Sequence, residues 1–104
     1  MSRLDLAKIE RYYSLFTLYQ SLLTIKQQEY FRQYFFQNLS LQEIADIFHV
    51  SRNAVYDSLI KTMEILDDYE QKLHLFKKYQ ARKKIYDQHQ EYQFILKLQE
   101  IDKI

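Results

Sequence analysis

Neither glycine nor proline occurs anywhere in this chain of 104 residues. Chains rich in β-structure spend both residues on turns, and α/β chains also need glycine where backbone must approach a phosphate. An all-α fold needs fewest of either, so it is the fold class expected. Phosphate loops and dinucleotide fingerprints, which require glycines at set positions, are excluded with the rest. The length is about one domain's worth, and 47% hydrophobic residues is enough to build one core, so a single all-helical domain over 1–104 is expected.

The apolar residues set the helices. Ile9, Tyr12, Tyr13, Phe16, Tyr19, Leu22 and Leu23 recur at steps of three and four, which predicts an amphipathic helix from Leu6 to Leu23. Thr24 and Gln27 have the spacing of a capping box and open a second helix with Phe31, Tyr34 and Phe35 turned inward. Asn38 tolerates a left-handed backbone and should close it. A second capping box, Ser40 with Glu43, opens a third helix over about Leu41–Phe48. His49 then takes the turn position commonly given to glycine, and Ser51 caps a fourth helix that starts at Arg52.

Nothing in "RNAVYDSLIKTMEILDDYEQKLHLFKKYQ" breaks a helix by composition. Val55, Leu59, Thr62, Leu66, Tyr69, Leu73 and Phe76 form a nearly heptad stripe along it. Such a stripe is longer than a unit of three short helices covers. Together with ten Tyr and seven Phe, it leads to the expectation of a homodimer. The remainder, about 77–104, reads as a C-terminal helical extension with Phe94, Ile95, Leu98 and Ile101 as its buried face.

The segment "LSLQEIADIFHVSRNAVYDSL", about 40–60, therefore has the form of a helix-turn-helix. The side chains turned toward a DNA groove would be Arg52, Asn53 and Tyr56 at the start of the fourth helix, with Lys61 further on. Arg suits guanine and Asn suits adenine. The charge distribution opposes this reading. Residues 40–70 carry Arg52 and Lys61 against Glu43, Asp46, Asp57, Glu64, Asp67, Asp68 and Glu70, a balance of −5. Residues 71–90 carry six basic side chains against Asp87, a balance of +5. Phosphates are gripped mainly by Lys and Arg, so the run "KKYQARKK" is the better phosphate binder. Its Lys77, Lys78, Arg82, Lys83 and Lys84 surround Tyr79, a ring able to stack on an unpaired RNA base. The same run also reads as a solvated helix face, or as an attractive partner for the acidic segment in a dimer.

Other chemistry finds little support. With no cysteine there is neither a disulfide framework nor a thiolate metal site. His49, His74 and His89 are too widely spaced for a local metal motif, and no nucleophile–base–acid grouping is recognisable. The expectation is a protein without cofactor, metal, small-molecule substrate or enzymatic activity. The N-terminal "MSRLDLAKIERYY" has acids at Asp5 and Glu10 and no continuous apolar run, so it reads as neither signal peptide nor membrane span. A cytoplasmic protein with no membrane partner is expected.

The stretch "LTIKQQEYFRQYFFQNLSLQEIADIFHVSRNAVYDSLIKTMEIL" resembles the DNA-binding region 4 of bacterial sigma factors. The longer run "VSRNAVYDSLIKTMEILDDYEQKLHLFKKY" is more specific and resembles the YlxM family, small bacterial proteins whose genes neighbour those of the signal recognition particle. The first resemblance implies a sigma-like helix-turn-helix and carries DNA contact onto Ser51, Arg52, Asn53, Val55 and Tyr56. The second implies a regulatory or accessory role in co-translational targeting, with the particle's RNA or its protein as partner. His49 in place of the usual turn glycine, and Asp46 and Asp57 nearby, are where this chain departs from the sigma pattern.

Overall fold

The computed structural model describes residues 6–104, with side chains from Ala7 onward; the start of the N-terminal stretch, including Asp5, lies outside the described residues. Every regular element among them is helical. They are α1 (Leu6–Tyr19) with a 3-10 turn (Gln20–Leu22), α2 (Ile25–Phe31) with a π turn (Arg32–Phe36), α3 (Leu41–Phe48), α4 (Arg52–Leu73), α5 (Leu75–Gln88) and α6 (Gln93–Asp102). The fold class is all-α.

Side-chain caps set the helix starts. Thr24 and Gln27 exchange hydrogen bonds of 3.0 and 3.1 Å with each other's backbone N–H, and Ser40 and Glu43 do the same at 3.0 Å each. The Ser51 hydroxyl accepts from the Ala54 N–H at 3.0 Å. These oxygens satisfy donors that the first helical turn otherwise leaves unpaired.

Where glycine would ordinarily close a helix, Asn38, His49 and His74 take positive φ of 57°, 57° and 56°. Behind His49, the Val50 N–H returns to the Ala45 carbonyl at 3.1 Å, the reach-back bond of a left-handed C-cap. The third of these residues corrects an expectation: the helix expected to run unbroken past Leu73 ends there, and α5 starts afresh after His74.

The chain divides into two compact units, one reaching Lys72 and the other Leu73–Ile104. The first is built around aromatic rings. Phe16 stacks on Phe31 at 4.3 Å between ring centres, and Phe31 on Phe35 at 4.3 Å. The π turn, closed by the Gln37 N–H reaching the Arg32 carbonyl five residues back at 3.0 Å, lets Phe36 meet Tyr13 at 4.6 Å as well. Tyr30 meets Phe48 edge to face at 4.9 Å and so ties α2 to α3.

Helix α4 packs its stripe into this same core. Val55, Leu59, Thr62, Met63 and Leu66 are buried. The stripe is thus consumed within the chain as far as Leu66, and only Leu73, near its end, is an exposed large hydrophobic. Polar contacts fasten α4 to α1. Tyr12 donates to Asp67 at 2.8 Å, Arg11 pairs with the same carboxylate at 3.1 Å, and Tyr19 donates to the buried Glu70 at 2.7 Å.

In the second unit α5 and α6 form an antiparallel-capable pair joined at 89–92. Asp102 accepts from the Tyr86 hydroxyl at 2.8 Å and pairs with Arg82 at 3.0 Å. Tyr86 and Ile95 are its buried hydrophobic side chains. Phe94, Leu98 and Ile101, expected on the buried face, are exposed.

Candidate nucleic-acid interface

The helix-turn-helix is formed by α3, the turn at His49 and the first turns of α4. Its precision comes from three local devices: the Ser40–Glu43 box, the left-handed His49 and the Ser51 cap. Together they expose the start of α4. Arg52 and Asn53 lie at the surface in its first turn, and neither side chain bonds to another described residue. That first turn contains no acid, and the positive end of the helix dipole adds to Arg52 there.

The sequence-derived set does not all come together. Arg52, Asn53 and Tyr56 lie within about 100° around α4, counting 100° per residue, with Tyr56 half-buried. Ser51 stands at the helix start with its hydroxyl engaged as the cap. Val55 must be corrected: its side chain is fully buried, so it holds α4 to the core and cannot touch a base. Lys61 is exposed but lies about 180° around the helix from Arg52, on the side of Asp57. Ile60, four residues after Tyr56 on the same strip and half-buried, was passed over by sequence reasoning, although its spacing marks it. Glu43 and Asp46 remain exposed on α3, the latter accepting from Gln42 at 2.8 Å.

The basic run of α5 is dispersed rather than gathered. Arg82 is committed to Asp102, and Lys83 pairs with Asp87 at 3.0 Å. Lys77 and Lys84, seven residues apart, share one side, while Lys78 lies about 100° away from them. Tyr79 is half-buried and lines a groove with Lys83, Tyr86 and Asp102 between α5 and α6. Hydrogen bonds from Asp87 and Asp102 also act on titration. The Lys83 ammonium is pushed above its ordinary value, first by its bond to Asp87. The Tyr86 phenol is raised by burial and then by its bond to Asp102.

Among the described residues no three His, Asp or Glu side chains gather in a way that could hold a metal ion, and no helix is long and apolar enough to cross a membrane.

A short helix, a left-handed turn and a capped second helix whose first turn is exposed define a helix-turn-helix protein. Residues 6–104 match the family model described as "Putative helix-turn-helix protein, YlxM / p13 like", UPF0122. A UPF0122 protein of Staphylococcus epidermidis is 46% identical over 84% of this chain and 79% of its own. One of Bacillus licheniformis is 50% identical over 81% and 78%, and one of Limosilactobacillus reuteri 48% over 86% and 79%. The chain belongs to this family.

Proposed function

We propose that the protein is a cytoplasmic, non-enzymatic regulator that binds nucleic acid through its helix-turn-helix. The observation that carries the reading is the first turn of α4. There Arg52 and Asn53, side chains that read guanine and adenine, are exposed and unengaged, at a helix end free of acid. The resemblance to the YlxM family extends the proposal to the signal recognition particle pathway, with DNA or the particle's RNA as ligand.

The test is selection of a preferred duplex from a random pool, followed by binding of Arg52→Ala and Asn53→Ala variants. Each lost base contact should weaken the preferred site by about 1–3 kcal/mol, roughly 5- to 150-fold, and leave random duplex nearly unchanged. Equal binding by wild type and both variants would reject the reading.

A second reading has its own support in the −5 balance of residues 40–70, which weakens any grip on phosphates. In it the protein is an accessory of the signal recognition particle that binds the particle's protein component and uses the helix-turn-helix as scaffold. Binding to random duplex and to the particle's RNA at two salt concentrations separates the two, since only the first reading requires salt-sensitive affinity.

A further inference from the structure

The second unit has more apolar surface than it covers. It spans about thirty residues, Leu73–Ile104, with Tyr86 and Ile95 as its buried hydrophobic side chains. Units below about 40 residues generally need a disulfide, a metal or association with another chain to stay folded. Cysteine is absent from the sequence and no metal-holding cluster occurs among the described residues, which leaves association.

The place for it is on α6. Ile95 and Asp102 define the side turned to α5, since one is buried and the other bonds Tyr86 and Arg82. About 90° around the helix from that side, Phe94, Leu98 and Ile101 form a separate stripe. These three remain 57%, 42% and 61% exposed. Their steps of four and three are those of a helix–helix seam.

We infer that this stripe is the contact between two copies of the chain, with α6 packed antiparallel on α6 of its partner about a two-fold axis at Leu98. Two features select a second copy over an unrelated partner. Phe94 stands four residues before Leu98 and Ile101 three after it, so an antiparallel copy sets Phe94 against Ile101 at both ends and Leu98 against itself. That is the self-complementarity a two-fold interface requires. Residues 93–103 also balance Lys97 and Lys103 against Glu100 and Asp102, so two such helices meet without net repulsion. A copy of the strongly basic α5 in the same place would be repelled. The inference is independent of what α4 binds.

The absence of cysteine makes the test specific. Full-length Leu98→Cys should be captured as a covalent dimer by a short bismaleimide at micromolar protein, whereas Leu96→Cys, about 160° around the helix from Leu98, should not. In sedimentation equilibrium the wild type should be dimeric and Leu98→Glu at least tenfold weaker in self-association, with helical content preserved by circular dichroism. A wild type that stays monomeric at 100 µM, or equal cross-linking at positions 96 and 98, overturns the inference. So does a Leu98→Glu variant that remains folded and dimeric. Should that variant unfold, the two cysteine variants decide alone.

Discussion

The Tyr19 hydroxyl donates to the Glu70 carboxylate at 2.7 Å, both side chains buried, and this bond joins α1 to α4 near the far end of the core from the helix-turn-helix. A hydrogen bond to a charged acceptor contributes more than a neutral one. Tyr19→Phe should therefore lower stability by about 1.5–3 kcal/mol in urea unfolding, with the structure otherwise retained. A loss below about 0.5 kcal/mol would mean that Glu70 is held adequately by its other neighbours.

His49 carries the cost of a left-handed backbone in a residue with a β-carbon. His49→Gly removes that cost and adds unfolded-chain entropy, so the net change should fall between zero and about 1 kcal/mol of stabilisation. His49→Val, branched at the β-carbon, should destabilise by about 1–2 kcal/mol or more. Thermal unfolding of the two variants side by side reads both effects, and equal melting temperatures would contradict the conformational account.

Two tyrosine–aspartate bonds set opposite pH limits. Burial and then the bond to Asp67 push the Tyr12 phenol up to about 12. A raised value means that its contribution is complete below the ordinary tyrosine value near 10 and is lost as pH climbs from there through about 12. Asp102 behaves inversely. Burial works to raise its carboxyl, but the bonds from Tyr86 and Arg82 and the guanidinium charge prevail and hold it below its ordinary value. Its contribution is present above the usual carboxylate value and disappears as pH falls through the lowered one. Tyr12→Phe should flatten the alkaline limb of the stability profile, and Asp102→Asn should flatten the acid limb.

If α5 engages RNA, Lys84→Gln should reduce the slope of log affinity against log salt by about 0.7, the value for one phosphate on a single strand. Arg82→Gln should act differently, because Arg82 is occupied with Asp102. It should loosen α5 from α6, seen as faster amide exchange in both helices, and change the slope little. Equal slope changes for the two variants would mean that Arg82 leaves Asp102 to meet the nucleic acid.

The caps were the most legible part of the sequence. Thr24, Ser40 and Ser51 each act within three residues of themselves, so their spacing alone defines the bond they make. Asn38 and His49 were readable for the same reason. His74 carried the same signal as His49, but no capping serine or threonine follows it, and the apolar stripe ran through it. Glu70 was legible as a helix-surface acid and not as a buried one, because its partner Tyr19 is distant in sequence. At the candidate interface, the periodicity that marks Val55 as apolar could not decide between groove and core; the packing of α4 decides for the core. The five cations of α5 looked like one cluster because neighbours in sequence are spread around a helix, and because Asp102 approaches from another element.

The π turn at Arg32–Phe36 carries a consequence for length variation in this protein. It fits one residue more into a turn than an α-helix would, and the rings on both sides are packed to that count. Deleting a single residue there would let the helix become regular, yet it would turn everything downstream by about 100° relative to α1. Phe48 would lose its place against Tyr30, and Arg52 and Asn53 would be aimed elsewhere. Insertions and deletions should be tolerated before Thr24 or after His89 far better than between them and the start of α4, where the register of the rings also sets the direction in which the helix-turn-helix faces.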